Sequence, residues 1–137
     1  MSGVEPDVQT VMEDCVRGSD EGRLTFPEVV KRLKEAGVER YTADLCRAEK
    51  TFYMPDGASH VVASRQHHRP PAEAFSPAAI DAALRAIQAQ KIDYTTFCEQ
   101  IAAAGCVSYL VSLAGRRAVY SGRTGETFVE PFPAGVK

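Results

Sequence analysis

The sequence predicts an α+β fold made by tandem duplication of a helix–helix–strand–strand–strand unit. Hydrophobic residues recur first at helical spacing and then at the alternating spacing of strands. The sequence also aligns with itself without a gap after a shift of 68 residues, which places Ala36-Gly37 on Ala104-Gly105. We therefore expect two antiparallel three-stranded meanders covered by helices and related by a pseudo-two-fold axis.

The aligned positions share a structural role more often than they share a residue. Identical pairs are few, but similar residues face each other where the pattern requires an apolar side chain. The matches include Tyr41/Tyr109, Leu45/Leu113, Gly57/Gly125, Val61/Val129, Leu24/Ile92, Phe26/Tyr94, Leu33/Ile101 and Phe52/Tyr120. This agreement of roles is the observation on which the duplication rests.

In the first unit, an apolar stripe predicts a helix over about Asp7–Arg17. Thr25 and Glu28 form a capping-box pattern that begins a second helix. Gly37 ends that helix, and we expect it to have a positive φ. Three strands follow, the first with Tyr41, Ala43 and Leu45 on one face and the others at Glu49–Met54 and Ala58–Ser64, with the turn dipeptide Asp56-Gly57 between these two.

The second unit repeats these signals. Ser76 caps a helix predicted over about Pro77–Gln90, and Asp93 caps the next one. Gly105 takes the place of Gly37 and is expected to share its positive φ. The predicted strands are Cys106–Leu113, Arg116–Ser121 and Glu126–Glu130.

We interpret residues 1–137 as a single domain made of two repeats, at about 6–65 and 74–133. A linker over about 66–75 joins them and contains Pro70-Pro71. One meander and its helices are close to the size at which a chain is marginally stable. The two copies are therefore expected to bury surface against each other.

Composition narrows the classes of function. Apolar residues make up 45% of the 137 residues and charged residues 25%, as in ordinary globular proteins. The net charge of −2 gives no general attraction to nucleic acid or to an anionic membrane. No signal peptide, apolar run of about 20 residues or C-x-x-C pair occurs. We expect a cytoplasmic protein with free thiols, no cofactor, and no membrane or nucleic-acid partner.

Several stretches of the chain resemble a family of uncharacterised bacterial and prophage proteins typified by YbcV. The resemblance covers almost the whole chain. It is carried by Thr25–Val30, Tyr53–Gly57, Lys91–Cys98, Ala102–Gly105, Tyr109–Leu113, Arg116–Tyr120 and Gly125–Glu130. The family is a domain of unknown function that is sometimes labelled a phage envelope protein. The resemblance implies a prophage association but no catalytic residues.

Two groups of residues are candidates for ligand binding. Tyr41 and Tyr109 occupy matched strand positions, where they either pack the sheet or line an aromatic cleft. The other group is a cluster of guanidinium groups that suits phosphate or carboxylate ligands and otherwise forms a charged strand edge: Arg116, Arg117 and Arg123.

The three histidines are weak candidates for metal ligands. His67 and His68 lie in the linker, and His60 lies in a predicted strand. Adjacent side chains of an extended segment point in opposite directions, which disfavours joint coordination by His67 and His68. A solvated linker is the favoured interpretation, and we expect no metal site.

No catalytic motif is present in the sequence, so the enzyme question stays open with a preference for no activity. The favoured interpretation is a non-enzymatic binding or interaction protein, whose partner is an unknown protein or a second copy of the chain. The alternative is a small-molecule-binding protein or minor enzyme with its site between the repeats. A deep cleft lined by the tyrosines would favour the alternative, and a flat apolar exposed patch the first interpretation.

Overall fold

A computed structural model of the chain describes residues 3–64, 70–133 and 136. These residues form four helices and six strands, in the order of two helices followed by three strands, which occurs twice. This order confirms the predicted α+β class and element order. The elements are α1 (Pro6–Asp20), α2 (Phe26–Glu35), β1 (Arg40–Asp44), β2 (Glu49–Tyr53), β3 (Ser59–Ala63), α3 (Pro77–Gln88), α4 (Tyr94–Ala103), β4 (Cys106–Ser112), β5 (Arg117–Gly122) and β6 (Thr127–Pro131).

All six strands form one antiparallel sheet with the order β3-β2-β1-β4-β5-β6. Each half therefore supplies a three-stranded meander, and the two meanders join through β1 and β4. Thr42 lies opposite Leu110, which is 68 residues later, and Arg40 and Asp44 lie opposite Ser112 and Ser108. The register is thus centred on a pair of positions that the sequence alignment treats as equivalent.

One face of the sheet forms the floor of the hydrophobic core. Alternation puts every second strand residue on this face, as expected for an antiparallel sheet with one covered side. Helices α1 and α2 pack against each other, as do α3 and α4, and α1 also contacts α4 across the halves. The buried strand residues are Tyr41, Ala43, Lys50, Phe52, Cys106, Tyr109, Val111, Ala118, Tyr120 and Gly122.

The helices begin at the predicted capping residues. The backbone N–H of Thr25 donates to Glu28 Oε1 at 2.8 Å, and the Asp93 carboxylate accepts the backbone N–H of Thr96 at 2.8 Å. The Ser76 hydroxyl accepts the backbone N–H of Ala79 in the same way at 3.1 Å. Hydrogen bonds of this kind satisfy donors that the first helical turn leaves without partners.

Two helix ends differ from the prediction. Helix α1 continues to Asp20 because Gly18 and Ser19 are buried, with Leu24 against Gly18. Helix α3 stops at Gln88, two residues early, and Gln90 turns into the left-handed region with φ of 59°. Both differences arise from packing or backbone geometry that apolar periodicity does not report.

Left-handed backbone recurs at positions 68 residues apart. Gly37 and Gly105 have φ of 84° and 90°, so the expected positive φ at both helix ends is confirmed. Three further pairs share the conformation: Gly22/Gln90, Ala48/Arg116 and Gly57/Gly125. The internal duplication itself stays a prediction.

The described end of the linker, 70–75, lies against the second half of the chain. The backbone N–H of Ala72 donates to the carbonyl of Ala102 at 3.0 Å, and the N–H of Ser76 donates to that of Ala104 at 2.8 Å. This segment therefore passes close to the end of α4. His67 and His68 lie outside the described residues.

The two helix-ending glycines should respond unequally to alanine. A non-glycine residue in the left-handed region costs about 1–2 kcal/mol. A Cβ at Gly37 would meet only the end of the Met54 side chain at 3.8 Å. At Gly105 it would overlap the carbonyl of Ala74 and lie 2.8 Å from the Cα of Phe75. We expect Gly105→Ala to lose about 1–3 kcal/mol more than Gly37→Ala, the usual cost of overpacking.

Urea unfolding of the two variants measures this difference. Gly57→Ala is the control, because Gly57 has φ of 92° and no atom within 4 Å of its added Cβ. It isolates the backbone cost and should resemble Gly37→Ala. Equal losses at Gly37 and Gly105 would contradict the close approach of the linker to α4.

Candidate functional site

A cavity of about 890 Å³ lies above the middle of the sheet, where the two halves meet. Its first wall is the end of α1 and the start of α2, and its second is the end of α3 and the start of α4. Exposed residues such as Gly22 and Gln90 mark its mouth, whereas three buried residues from the sheet form its floor: Tyr41, Lys50 and Tyr109. The cavity therefore runs from solvent to the core.

The walls are built from matched positions of the two halves. Six pairs of lining residues are separated by 68 in the sequence: Ser19/Ile87, Gly22/Gln90, Leu24/Ile92, Thr25/Asp93, Phe26/Tyr94 and Tyr41/Tyr109. Most of these side chains are apolar or aromatic, as is usual for sites that bind small organic molecules. Lys50 departs from this symmetry, because its matched position is Ala118, which does not line the cavity.

Lys50 is carried into the core by the alternation of β2. It shares a strand face with Phe52 and lies in register between Ala43 of β1 and Val62 of β3. Only 4% of its surface is exposed. Position 50 is therefore buried by the same pleat that buries Phe52, and lysine is rare at fully buried positions of this kind.

The Lys50 amine is surrounded by aromatic faces instead of acceptors. Its Nζ lies 4.3 Å from the ring centroid of Tyr94 and 5.7 Å from that of Tyr41, within cation–π range. Within 3–64, 70–133 and 136 it has no hydrogen bond or ion pair. Burial lowers the pKa of Lys50, and the weaker influences of Cys98, Asp20 and Cys15 oppose that change.

The hydroxyls of Tyr94 and Tyr109, which line the same cavity as Lys50, form a hydrogen bond with each other. The hydroxyls of Tyr94 and Tyr109 are 2.6 Å apart, and the side chain of Tyr94 also hydrogen-bonds that of Cys98. Burial raises the pKa of both tyrosines well above the ordinary value, and it raises the pKa of Cys98 to about 12. These groups stay protonated at neutral pH, so they can donate hydrogen bonds but do not supply a thiolate or phenolate.

The structure brings together only part of the predicted ligand-binding set. Tyr41 and Tyr109 both line the cavity, with ring centroids 6.5 Å apart. The three arginines lie elsewhere and bond to backbone carbonyls. Arg116 donates to Val136 at 2.6 Å, Arg117 to Gly115 at 3.1 Å, and Arg123 to Pro71. A role for these arginines in ligand binding stays a prediction.

His60 interacts with a carboxylate on α1. Its Nε2 lies 3.1 Å from Glu13 Oε2, at the edge where β3 meets that helix. Among the described residues, no group of three or more His, Cys, Asp or Glu side chains could hold a metal ion. His67 and His68 lie outside the described part of the chain. The expectation that they bind no metal therefore stays a prediction.

Sequence reasoning missed Lys50 and Tyr94 as site residues. A signal for Lys50 existed, because it is a charged residue in phase with Phe52 and falls on Ala118 in the alignment. Tyr94 falls on Phe26, so the difference of one hydroxyl between matched apolar positions marks it in the same way. Differences between matched positions were therefore more informative about the site than the similarities.

Comparison with known proteins identifies a family for the chain, but the function of that family is unknown. A family described as "Protein of unknown function (DUF1398)" matches residues 19–130. No curated protein matches the chain. Within the described residues, the longest helices are too short or too polar to cross a bilayer.

Replacing Lys50 by methionine should stabilise the protein at pH 7 by about 1–3 kcal/mol, the usual cost of a buried polar group that lacks a hydrogen-bond partner. Folding lowers the pKa of Lys50, so between its folded and unfolded pKa values the unfolded state holds more protons. Wild-type stability therefore gains a contribution that grows as pH rises through that window toward about 10.4. The advantage of Lys50→Met should shrink over the same range.

Urea melts at several pH values measure the difference between Lys50→Met and the wild type. The tyrosines and cysteines titrate in both proteins, so their contributions largely cancel in the difference. Lys91→Met is the matched control, since Lys91 lines the same cavity but is exposed. A stability difference that does not change with pH would contradict the buried position of the Lys50 amine.

The four cysteines should differ sharply in alkylation by iodoacetamide. Cys15, Cys98 and Cys106 are buried, and burial raises their pKa values to about 11, 12 and 11. Cys46 is only half-buried. Mass spectrometry at pH 8 should find Cys46 modified first, and all four modified in urea. Early modification of Cys98 in the folded protein would contradict its placement.

Proposed function

The chain belongs to the DUF1398 family of proteins of unknown function, and we propose that it binds a small organic molecule in the cavity between its two halves. The observation that carries this proposal is Lys50, a buried amine on the cavity floor with no hydrogen bond or ion pair among the described residues. Burying such a group without an acceptor is costly, and a ligand oxygen would offset that cost.

The lining defines the chemistry of the ligand. Leu24, Phe26, Ile87 and Ile92 offer an apolar surface to a hydrocarbon or aromatic body. The Lys50 amine can donate a hydrogen bond to one carbonyl or carboxylate oxygen at the floor of the cavity. An apolar pocket with one convergent polar group is the usual arrangement of sites that orient a small ligand.

A protein-interaction role, which the sequence favoured, has weaker support. Val61 and Val129 are exposed on the outer strands β3 and β6. They lie on opposite edges of the sheet, and isolated exposed valines are common in monomeric proteins. The cavity is the more specific feature, so small-molecule binding replaces the interaction role as the favoured function.

We further propose that the two halves derive from one ancestral unit. The proposal is supported by the repeated element order, by the four pairs of left-handed residues and by the register of β1 with β4. The prophage association and the relationship to YbcV stay predictions from resemblance. Neither one enters the argument for ligand binding.

The dye 1-anilinonaphthalene-8-sulfonate should bind saturably with one site per chain, because it combines an aromatic body with an anionic oxygen group. The variant Ile87→Trp should fill the cavity and weaken this binding at least about tenfold, which corresponds to 1.4 kcal/mol. Val119→Trp, on the opposite face of the sheet, is the matched control and should bind the dye as the wild type does.

Fluorescence titration of the three proteins measures the affinities. A ligand present at 100 times its dissociation constant should also raise the free energy of unfolding by about 2.7 kcal/mol. Dye binding that is unchanged in Ile87→Trp but reduced in Val119→Trp would place binding on the open sheet face and refute the proposal.

A further inference from the structure

We propose that Lys50 is a nucleophilic amine that forms an imine with an aldehyde or ketone ligand bound in the cavity. This inference rests on the proposed binding function and names the reactive group of its ligand. It arises from the position of Lys50 on the cavity floor, beneath walls of apolar side chains. Apolar walls exclude water from the amine and from a carbonyl group bound beside it.

The Lys50 amine forms no ion pair with any residue that the structure describes. Asp20 is an acidic group whose charge acts on it, and that carboxylate accepts the Ser64 hydroxyl at 2.9 Å. The amine itself lies over the rings of Tyr41 and Tyr94. Burial lowers the pKa of Lys50, which raises the fraction of neutral amine at physiological pH.

The reaction needs no group from outside the two partners. The nitrogen lone pair of Lys50 forms a bond to the carbonyl carbon, and the electron pair of the C=O bond moves to oxygen. The oxygen then leaves as water, and both hydrogens of the amine end in that water molecule. The product is a C=N bond between Lys50 and the ligand, and hydrolysis reverses the step.

The position that aligns with Lys50 in the second half of the chain is Ala118, so the lysine is not repeated there. Ala118 is buried where β5 corresponds to β2, and it carries no functional group. Lys91 lines the cavity but is exposed at its mouth. Among the described residues, the chain therefore holds one buried lysine amine and, within the same cavity, one exposed lysine amine for comparison.

Reductive trapping with benzaldehyde tests the inference on the full-length protein. Sodium cyanoborohydride reduces an imine to a stable secondary amine, and peptide mapping by mass spectrometry locates it. We expect Lys50 to be modified severalfold faster than Lys91 at pH 7, because the cavity holds the carbonyl compound beside the buried amine and burial favours its neutral, nucleophilic form. The comparison within one wild-type molecule does not depend on the folding of a variant.

Two variants complete the experiment. Lys50→Met should abolish the fast modification, and Lys34→Met, at an exposed lysine of α2 outside the cavity, should leave it unchanged. Modification of exposed lysines with none at Lys50 would overturn the inference. If the anilinonaphthalene dye still binds in that case, the binding function stands and only the imine is refuted. If the dye also fails to bind, both proposals fall.

Discussion

The pairing of β1 with β4 is the contact on which the rest of the structure depends. It joins two meanders, each too small to bury its own apolar face well, into one six-stranded sheet. Because the register is centred on Thr42 and Leu110, Tyr41 and Tyr109 come to lie near each other on the covered face. The cavity forms above this junction, and its walls come from helix ends of both halves.

The second constraint is the cost of a buried amine. The core of this sheet is otherwise apolar or aromatic, and Ala118 shows that the corresponding position functions structurally with a methyl group. A lysine at position 50 therefore adds a desolvation cost that an apolar side chain there would not carry. When the amine is protonated, the rings of Tyr41 and Tyr94 recover part of the lost hydration by cation–π attraction, worth about 2 kcal/mol when desolvated. The remainder is a reason to look for a ligand.

Much of the fold could be predicted from the sequence because its signals are local. Caps at Ser76 and Asp93, the glycine at position 105 and the alternation of β4 each act within a few residues. The site could not be predicted in this way, since Lys50 and Tyr94 are 44 residues apart and meet only after the halves pair. The hydrogen bond of Arg116 could not be predicted for a related reason. Its acceptor is the backbone carbonyl of Val136, which lies 20 residues away in the sequence.

The match between the cavity walls has a further consequence for recognition. Leu24 and Phe26 on one wall face Ile92 and Tyr94 on the other, so apolar contacts alone would give a bound ligand similar surroundings at its two ends. A single amine at one side of the floor removes that ambiguity. The same amine would allow the proposed binding site to distinguish the two ends of one molecule.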